Sequence, residues 1–178
     1  MPRATSRPEG AGVSTAEVGE RLKARALTLP RPWRVPAGVT SARLVRVVGD
    51  QVFASGHVPL GDDGEPVGPA GVVGADLDLA AAQQAALRAA LGLLADINVA
   101  LGDLSRIRGW CLLRGMVRAA PGFTDFPAVF NPVSQLLVDL FGEEIGAHSR
   151  VAVGVAGLPW NMPVEIEAQL VRVPEAGR

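Results

Sequence analysis

The sequence predicts an α+β fold in which two long helices pack on one face of a mixed β-sheet. Three observations carry that expectation. Apolar residues alternate with period two on both sides of Gly49-Asp50, and again after residue 149. Between these stretches, leucines recur at three- and four-residue steps in two separate segments. The resulting order is helix, β, β, α, β, α, β, β, which suits a two-layer arrangement.

Residues 1–13 carry Pro, Arg, Ser and Gly without an apolar run, and read as a mobile leader that resembles neither a secretory signal nor a membrane anchor. Residues 14–42 follow as a helix and a proline-rich connector. Ser14-Thr15-Ala16-Glu17 has the capping-box spacing, with a hydroxyl three residues ahead of a glutamate. The helix it opens, of about three turns, would place Val18 and Leu22 on one side. Pro30, Pro32 and Pro36 then forbid regular structure to about Gly38.

Residues 43–174 read as one domain. Leu44 to Val48 and Gln51 to Ser55 form a hairpin, with Gly49 in the turn position that needs positive φ. Ser55-Gly56-His57 ends the second strand, where a glycine permits close approach of a backbone or a ligand. Gly61 to Gly74, with two prolines and three acids, is a surface loop.

Asp76 or Asp78 caps the next element, whose Leu87, Leu91, Leu94 and Leu101 share a face and whose alanines allow close packing on a sheet. Gln83, Gln84, Arg88 and Asp96 interrupt this run and argue against a membrane-spanning helix. Ile107 to Val117 is a strand closed by Pro121-Gly122. Thr124 or Asp125 opens the second long helix with Pro127 in its first turn. Pro132 predicts a kink or a restart, with Asn131 capping the segment that carries Val133, Leu136, Leu137 and Leu140. Gly142 stops it. Arg150 to Ala156 and Val164 to Val173 are the last two strands, and Glu165, Glu167 and Gln169 fall on the face away from Val164, Ile166, Ala168 and Leu170. A small sheet with one bare face suggests burial by oligomerisation.

Composition limits the function. The chain has 178 residues and a formal net charge of -1, so it lacks the basic surface that neutralising many phosphates requires, and no nucleic-acid partner is expected. The single cysteine, Cys111, excludes an intrachain disulfide and is compatible with a reducing, cytoplasmic location. Its place in an apolar strand reads as a buried structural thiol. Two histidines, His57 and His148, without a third clustered ligand make a metal site unexpected, and the glycines from Gly61 to Gly74 do not fit a phosphate-binding fingerprint.

Chemistry concentrates in the last third. Asn131, Arg150 at the start of a strand, and Glu165 combine a carboxamide, a guanidinium and a carboxylate on rigid elements. Arginine offers two parallel donors to a carboxylate and stays charged, while a buried glutamate can act as general base toward water. Together they suit hydrolysis of a small carboxylic metabolite. Each also has a plainer reading: Arg150 as an ion-pair partner, Asn131 as a helix cap, Ser55 as a strand end, and Glu167 as a solvated charge.

Ala54-Ser55-Gly56-His57-Val58-Pro59-Leu60, Pro121-Gly122-Phe123-Thr124-Asp125-Phe126-Pro127, Asn131, His148-Ser149-Arg150-Val151-Ala152-Val153, Leu158-Pro159 and Val164-Glu165-Ile166-Glu167-Ala168 resemble, in order and spacing, the RidA (YjgF) family of reactive-intermediate deaminases. The resemblance implies a chorismate-mutase-like α+β subunit and a homotrimer with a barrel-like core and clefts between neighbours. It also implies hydrolysis of enamines and imines such as 2-aminoacrylate to a 2-keto acid and ammonia, with no cofactor. Arg150 would hold the substrate carboxylate and Glu165 the attacking water, with Ser55, Gly56, His57, Asn131 and Ala152 lining the cleft.

The chain departs from the family pattern in having no tyrosine, in His57 where glutamine is common, in Val151-Ala152 after the arginine, and in Pro132 after Asn131. These changes point to an altered pocket. Two other readings stay open: a non-catalytic trimeric protein that binds small carboxylates or acts as a chaperone, and a dedicated biosynthetic enzyme on the same fold.

Overall fold

The computed structural model describes residues 12–35 and 42–174. The expectations for residues 1–11 and for Pro36 to Gly38 lie outside the described residues.

Helix α1 (Thr15–Lys23) starts as its sequence dictates: the Ser14 hydroxyl accepts from the Glu17 amide and the Glu17 carboxylate accepts from the Ser14 amide. Val18 and Leu22 are its buried residues. Arg21 donates to the Leu140 carbonyl and Arg25 pairs with Asp139 at 2.9 Å, so α1 is tied to the main body.

Strands β1 (Val45–Val48) and β2 (Gln51–His57) form the expected hairpin, with Val48 opposite Gln51 and Gly49 at φ +59°. Helix α2 (Leu79–Leu101) follows, capped by Asp78, whose carboxylate accepts from the Ala81 amide. Then come β3 (Ile107–Arg118), α3 (Phe126–Phe141), the short α4 (Glu143–Gly146), β4 (Ser149–Val155) and β5 (Val164–Arg172). The sheet order is β1-β2-β5-β3-β4. Only β3 and β4 run parallel, because α3 carries the chain back to the starting end of β3.

Both long helices lie on one face of this sheet. Val164, Ile166, Ala168 and Leu170 of β5 are buried under them with Ala82, Ala86, Ala89, Leu94 and Ile97 of α2 and Phe130, Val133 and Leu137 of α3. Helix α2 is, by length and mean hydropathy, apolar enough to cross a membrane despite its polar interruptions. In the fold it is the buried core helix.

Two expectations fail for physical reasons. Helix α3 is a single unbroken helix through Pro132, with no restart, so Asn131 lies inside it and caps nothing. Pro132 has no N–H to give the carbonyl of Ala128, four residues earlier. The Gln83 side chain of α2 supplies the missing donor, at 2.9 Å. Cys111 is exposed rather than buried. The register of β3 against β5 shifts between Trp110 and Leu112, and that irregularity turns the thiol outward.

Candidate functional site

The sequence-predicted residues gather into two groups that the sheet keeps apart. Arg150 anchors the first. On β4, an edge strand, Arg150 and Ala152 face the helix layer, and Ala152 packs against the core. Nη2 of Arg150 donates to Asn131 Oδ1 at 2.9 Å, and Nη1 donates to Ser134 Oγ at 3.0 Å. Asn131 and Ser134, three residues apart, share one face of α3 because the helix is continuous.

Ser134 Oγ lies 3.0 Å from Nε2 of His148, whose Nδ1 is 2.7 Å from the Gly146 carbonyl. That carbonyl can only accept, so Nδ1 carries a proton and donates to it. The guanidinium therefore sits at the end of a fixed chain from Gly146 through His148 and Ser134. Asn131, Ser134, Val138, Ala147, His148 and Arg150 line an open groove along the β4 edge. Partial burial pushes the arginine pKa down from its ordinary value. The remaining guanidinium N–H groups are available to an anion in the groove.

Glu165 anchors the second group, on the opposite face of the sheet. Its neighbours Val164 and Ile166 point into the core, so Glu165 points to the bare face. Its carboxylate occupies the space that a Cβ at Gly56 would fill. A side chain at position 56 would displace it. The register between β2 and β5 shifts between Ala54 and His57, and the irregularity opens this close approach. Burial raises the Glu165 pKa above its ordinary 4.5, and the nearby His57 opposes that rise.

His57 differs from its expected place on the cleft wall. It is fully buried, with Nδ1 2.7 Å from the Ser55 carbonyl and Nε2 3.0 Å from Oδ2 of Asp96 on α2. The ring has neither a free nitrogen nor exposed surface. Asp96 also accepts from the Trp33 amide at 3.2 Å, and the Trp33 ring meets His57 edge-on at 6.0 Å. Glu167, beside Glu165 on the bare face, forms an ion pair with Arg114.

Within one chain, Arg150 and Glu165 do not come together. Arg150 stands opposite Leu113 and Ala168 in the register, three residues along β5 from Glu165, and the two side chains leave the sheet on opposite faces.

Ser134, Asp96 and Trp33 join these groups in addition to the sequence-predicted residues. Ser134 has a legible signal, the three-residue step from Asn131, which an expected restart at Pro132 obscures. Asp96 reads only as a polar interruption in an apolar helix, and Trp33 lies in the proline-rich connector.

Residues 19–167 match the family model described as "YjgF/chorismate mutase-like, putative endoribonuclease". Protein TCP17 of Trypanosoma cruzi is 35% identical over 158 residues, covering 88% of this chain and 94% of that protein. The crystal structure of Atu1372 from Agrobacterium tumefaciens is 36% identical with a TM-score of 0.80, over 89% of this chain and 94% of that one. E. coli TdcF with bound serine is 26% identical with a TM-score of 0.54, over 82% and 96%.

Proposed function

The chain belongs to the YjgF/chorismate-mutase-like family, and from that premise we propose that it is a hydrolytic deaminase of reactive 2-imino acids, completed between subunits of a homotrimer. The observation that carries this reading is the pre-oriented guanidinium: Arg150 is fixed by Asn131 and Ser134 before any substrate arrives. Pre-organised donors bind a carboxylate without paying to order a long side chain first.

The face argument requires a second copy. Arg150 lies at a sheet edge and Glu165 on a bare face that carries Val151 and Val153, each about two-fifths exposed. A neighbour whose β4 edge meets this face would bury those valines and bring its Arg150 to Glu165. Three such contacts close a ring. TdcF has been seen with serine, itself a small molecule bearing a carboxylate, and this supports the substrate class.

In the proposed reaction, Arg150 holds the substrate carboxylate and thereby fixes the C=N carbon. Water adds to that carbon as Glu165 takes its proton. That proton passes to nitrogen to give the carbinolamine, the hydroxyl proton then follows it to nitrogen, the C–N bond breaks, and ammonia leaves as the carbonyl forms. Enamines enter after protonation at carbon to the imine. A general base contributes about 10²–10⁴-fold, enough for a substrate that already hydrolyses in water.

Generating 2-aminoacrylate in situ and following pyruvate release tests the proposal. The wild-type chain should accelerate release, and Arg150→Ala should return it to the uncatalysed rate. Equal activity in the two proteins would remove Arg150 from the mechanism. Binding of 2-keto acids without hydrolysis would instead support a carboxylate-binding protein.

A further inference from the structure

We infer that Ser134 and His148 form a proton relay, in which the serine hydroxyl touches the group on C2 of a 2-imino or 2-oxo acid that Arg150 holds by its carboxylate. The inference rests on the deaminase reading and names the route by which the second proton of that reaction reaches nitrogen.

Three distances define the relay. Arg150 Nη1 donates to Ser134 Oγ at 3.0 Å, Oγ lies 3.0 Å from His148 Nε2, and His148 Nδ1 lies 2.7 Å from the Gly146 carbonyl. A hydroxyl has a single proton to give and two lone pairs to receive with. Arg150 occupies one lone pair. The other, and the proton, are left for His148 and for whatever enters the groove. The same contacts serve both forms of the ring. A neutral imidazole accepts the serine proton at Nε2, whereas an imidazolium donates there and turns the hydroxyl toward the groove. A proton can therefore pass between the ring and a bound molecule while Arg150 keeps its hold on the oxygen.

Anchoring a guanidinium requires only an acceptor, and Asn131 serves in that way. Ser134 differs in being backed by an imidazole whose far nitrogen is fixed by a third group, the arrangement of sites that move protons. Both side chains line the open groove and are partly exposed, so His148 meets solvent between turnovers. Of the acids on the neighbouring helices, Asp139 of α3 pairs with Arg25, and Glu143 and Glu144 stand exposed at the start of α4.

The carbon that bears nitrogen is bonded directly to the carboxylate carbon, so a carboxylate on the free N–H groups of Arg150 brings the C2 substituents beside Oγ. In the carbinolamine, the hydroxyl must lose a proton and the amine must gain one. Direct transfer between two atoms on one carbon passes through a small strained ring. Through the relay, the hydroxyl proton moves to Oγ as the serine proton moves to Nε2. The imidazolium then returns a proton through Oγ to nitrogen, the C–N bond breaks, and ammonia leaves as the carbonyl forms. Serine and imidazole end as they began.

Pyruvate labelled at C2 presents oxygen where the substrate presents nitrogen, and infrared difference spectra of the saturated full chain read the contact without turnover. Ser134→Ala should raise the stretching frequency of the bound C2 carbonyl. Asn131→Ala also removes one anchor of Arg150 but leaves the hydroxyl, and it should not. His148→Ala should lower kcat for 2-aminoacrylate hydrolysis by about 10²-fold, well beyond its effect on KM, and added imidazole should restore it. Anchoring alone predicts the other split, a raised KM at unchanged kcat.

A carbonyl stretch that ignores Ser134→Ala, a wild-type kcat in His148→Ala, or a lost kcat that imidazole does not restore would overturn the inference. The two readings fail separately. A Ser134-dependent stretch in a chain that hydrolyses no imine would end the deaminase reading and keep Ser134 at C2. Undiminished kcat in both Ser134→Ala and His148→Ala would keep the deaminase and end the relay.

Discussion

The Glu165 carboxylate lies where the side chain of residue 56 would begin, and only glycine leaves that space open. Gly56→Ala should therefore displace the carboxylate while leaving the hydrogen-bonded strands paired. A shift of about 1 Å in a catalytic group costs roughly 10²-fold in rate. We expect kcat for imine hydrolysis to fall by about that factor, with the secondary structure seen by circular dichroism unchanged. Full activity in Gly56→Ala would mean that the position of Glu165 does not matter.

Arg150 reaches its place through two acceptors on α3, and each can be removed separately. Asn131→Ala and Ser134→Ala should raise KM for a carboxylate substrate, and Kd for a 2-keto acid, by about tenfold or more, because hydrogen bonds to a charged group are worth ~1.5–3 kcal/mol. His148→Ala should act in the same direction through Ser134, and less strongly. Calorimetric titration with pyruvate reads the effect directly.

Much of this fold can be read from the chain, and the exceptions share a cause. The hairpin around Gly49, the capping box at Ser14 and the buried alternation of β5 are local patterns, and they appear in the structure as local patterns. Pro132 fails as a breaker because the compensation comes from Gln83, distant in sequence. The same error hides Ser134, whose alignment with Asn131 is visible only along an unbroken helix. Arg150 and Glu165 are easily found as residues, but their separation onto opposite faces depends on strand order, which alternation alone does not give. Asp96 and Trp33 are invisible as partners of His57 until the connector is placed on α2.

The compensation at Pro132 can be checked by a double-mutant cycle. Gln83→Ala leaves the Ala128 carbonyl without its side-chain donor, which should cost ~1–3 kcal/mol of stability. Pro132→Ala restores a backbone N–H to the same carbonyl. In that background Gln83→Ala should cost much less, so the two changes are non-additive. Urea unfolding of the four proteins measures the difference. Simple additivity would show that the hydrogen bond carries no weight.

The pH dependence follows from the direction of the Glu165 shift. Burial raises its pKa above 4.5, so the carboxylate is lost at a higher pH than an ordinary glutamate would lose it. The acid limb of kcat/KM should accordingly lie above 4.5. Stability runs the opposite way. A carboxyl whose folded pKa is raised favours the folded state fully below its unfolded pKa, and that contribution is lost as pH rises through the folded pKa. Glu165→Gln should raise Tm at neutral pH, and the gain should vanish on acidification below the ordinary glutamate range. A gain that persists unchanged in acid would assign the effect to packing instead of ionisation.

Val151 and Val153 project from β4 on the face away from the helices, 41% and 39% exposed in the single chain. Placing a charge there should cost the subunit little, because surface substitutions usually change stability by less than about 0.5 kcal/mol. If a neighbouring copy covers this face, the same charge is buried without a partner in the assembly, a far larger penalty. Val153→Asp should therefore yield folded monomers by analytical ultracentrifugation, where the proposed assembly predicts trimers for the wild-type chain. It should also abolish imine hydrolysis, since Arg150 and Glu165 within one chain never meet. Retained activity in a strictly monomeric Val153→Asp protein would require a site built from one subunit, which the opposed faces of β4 and β5 do not provide.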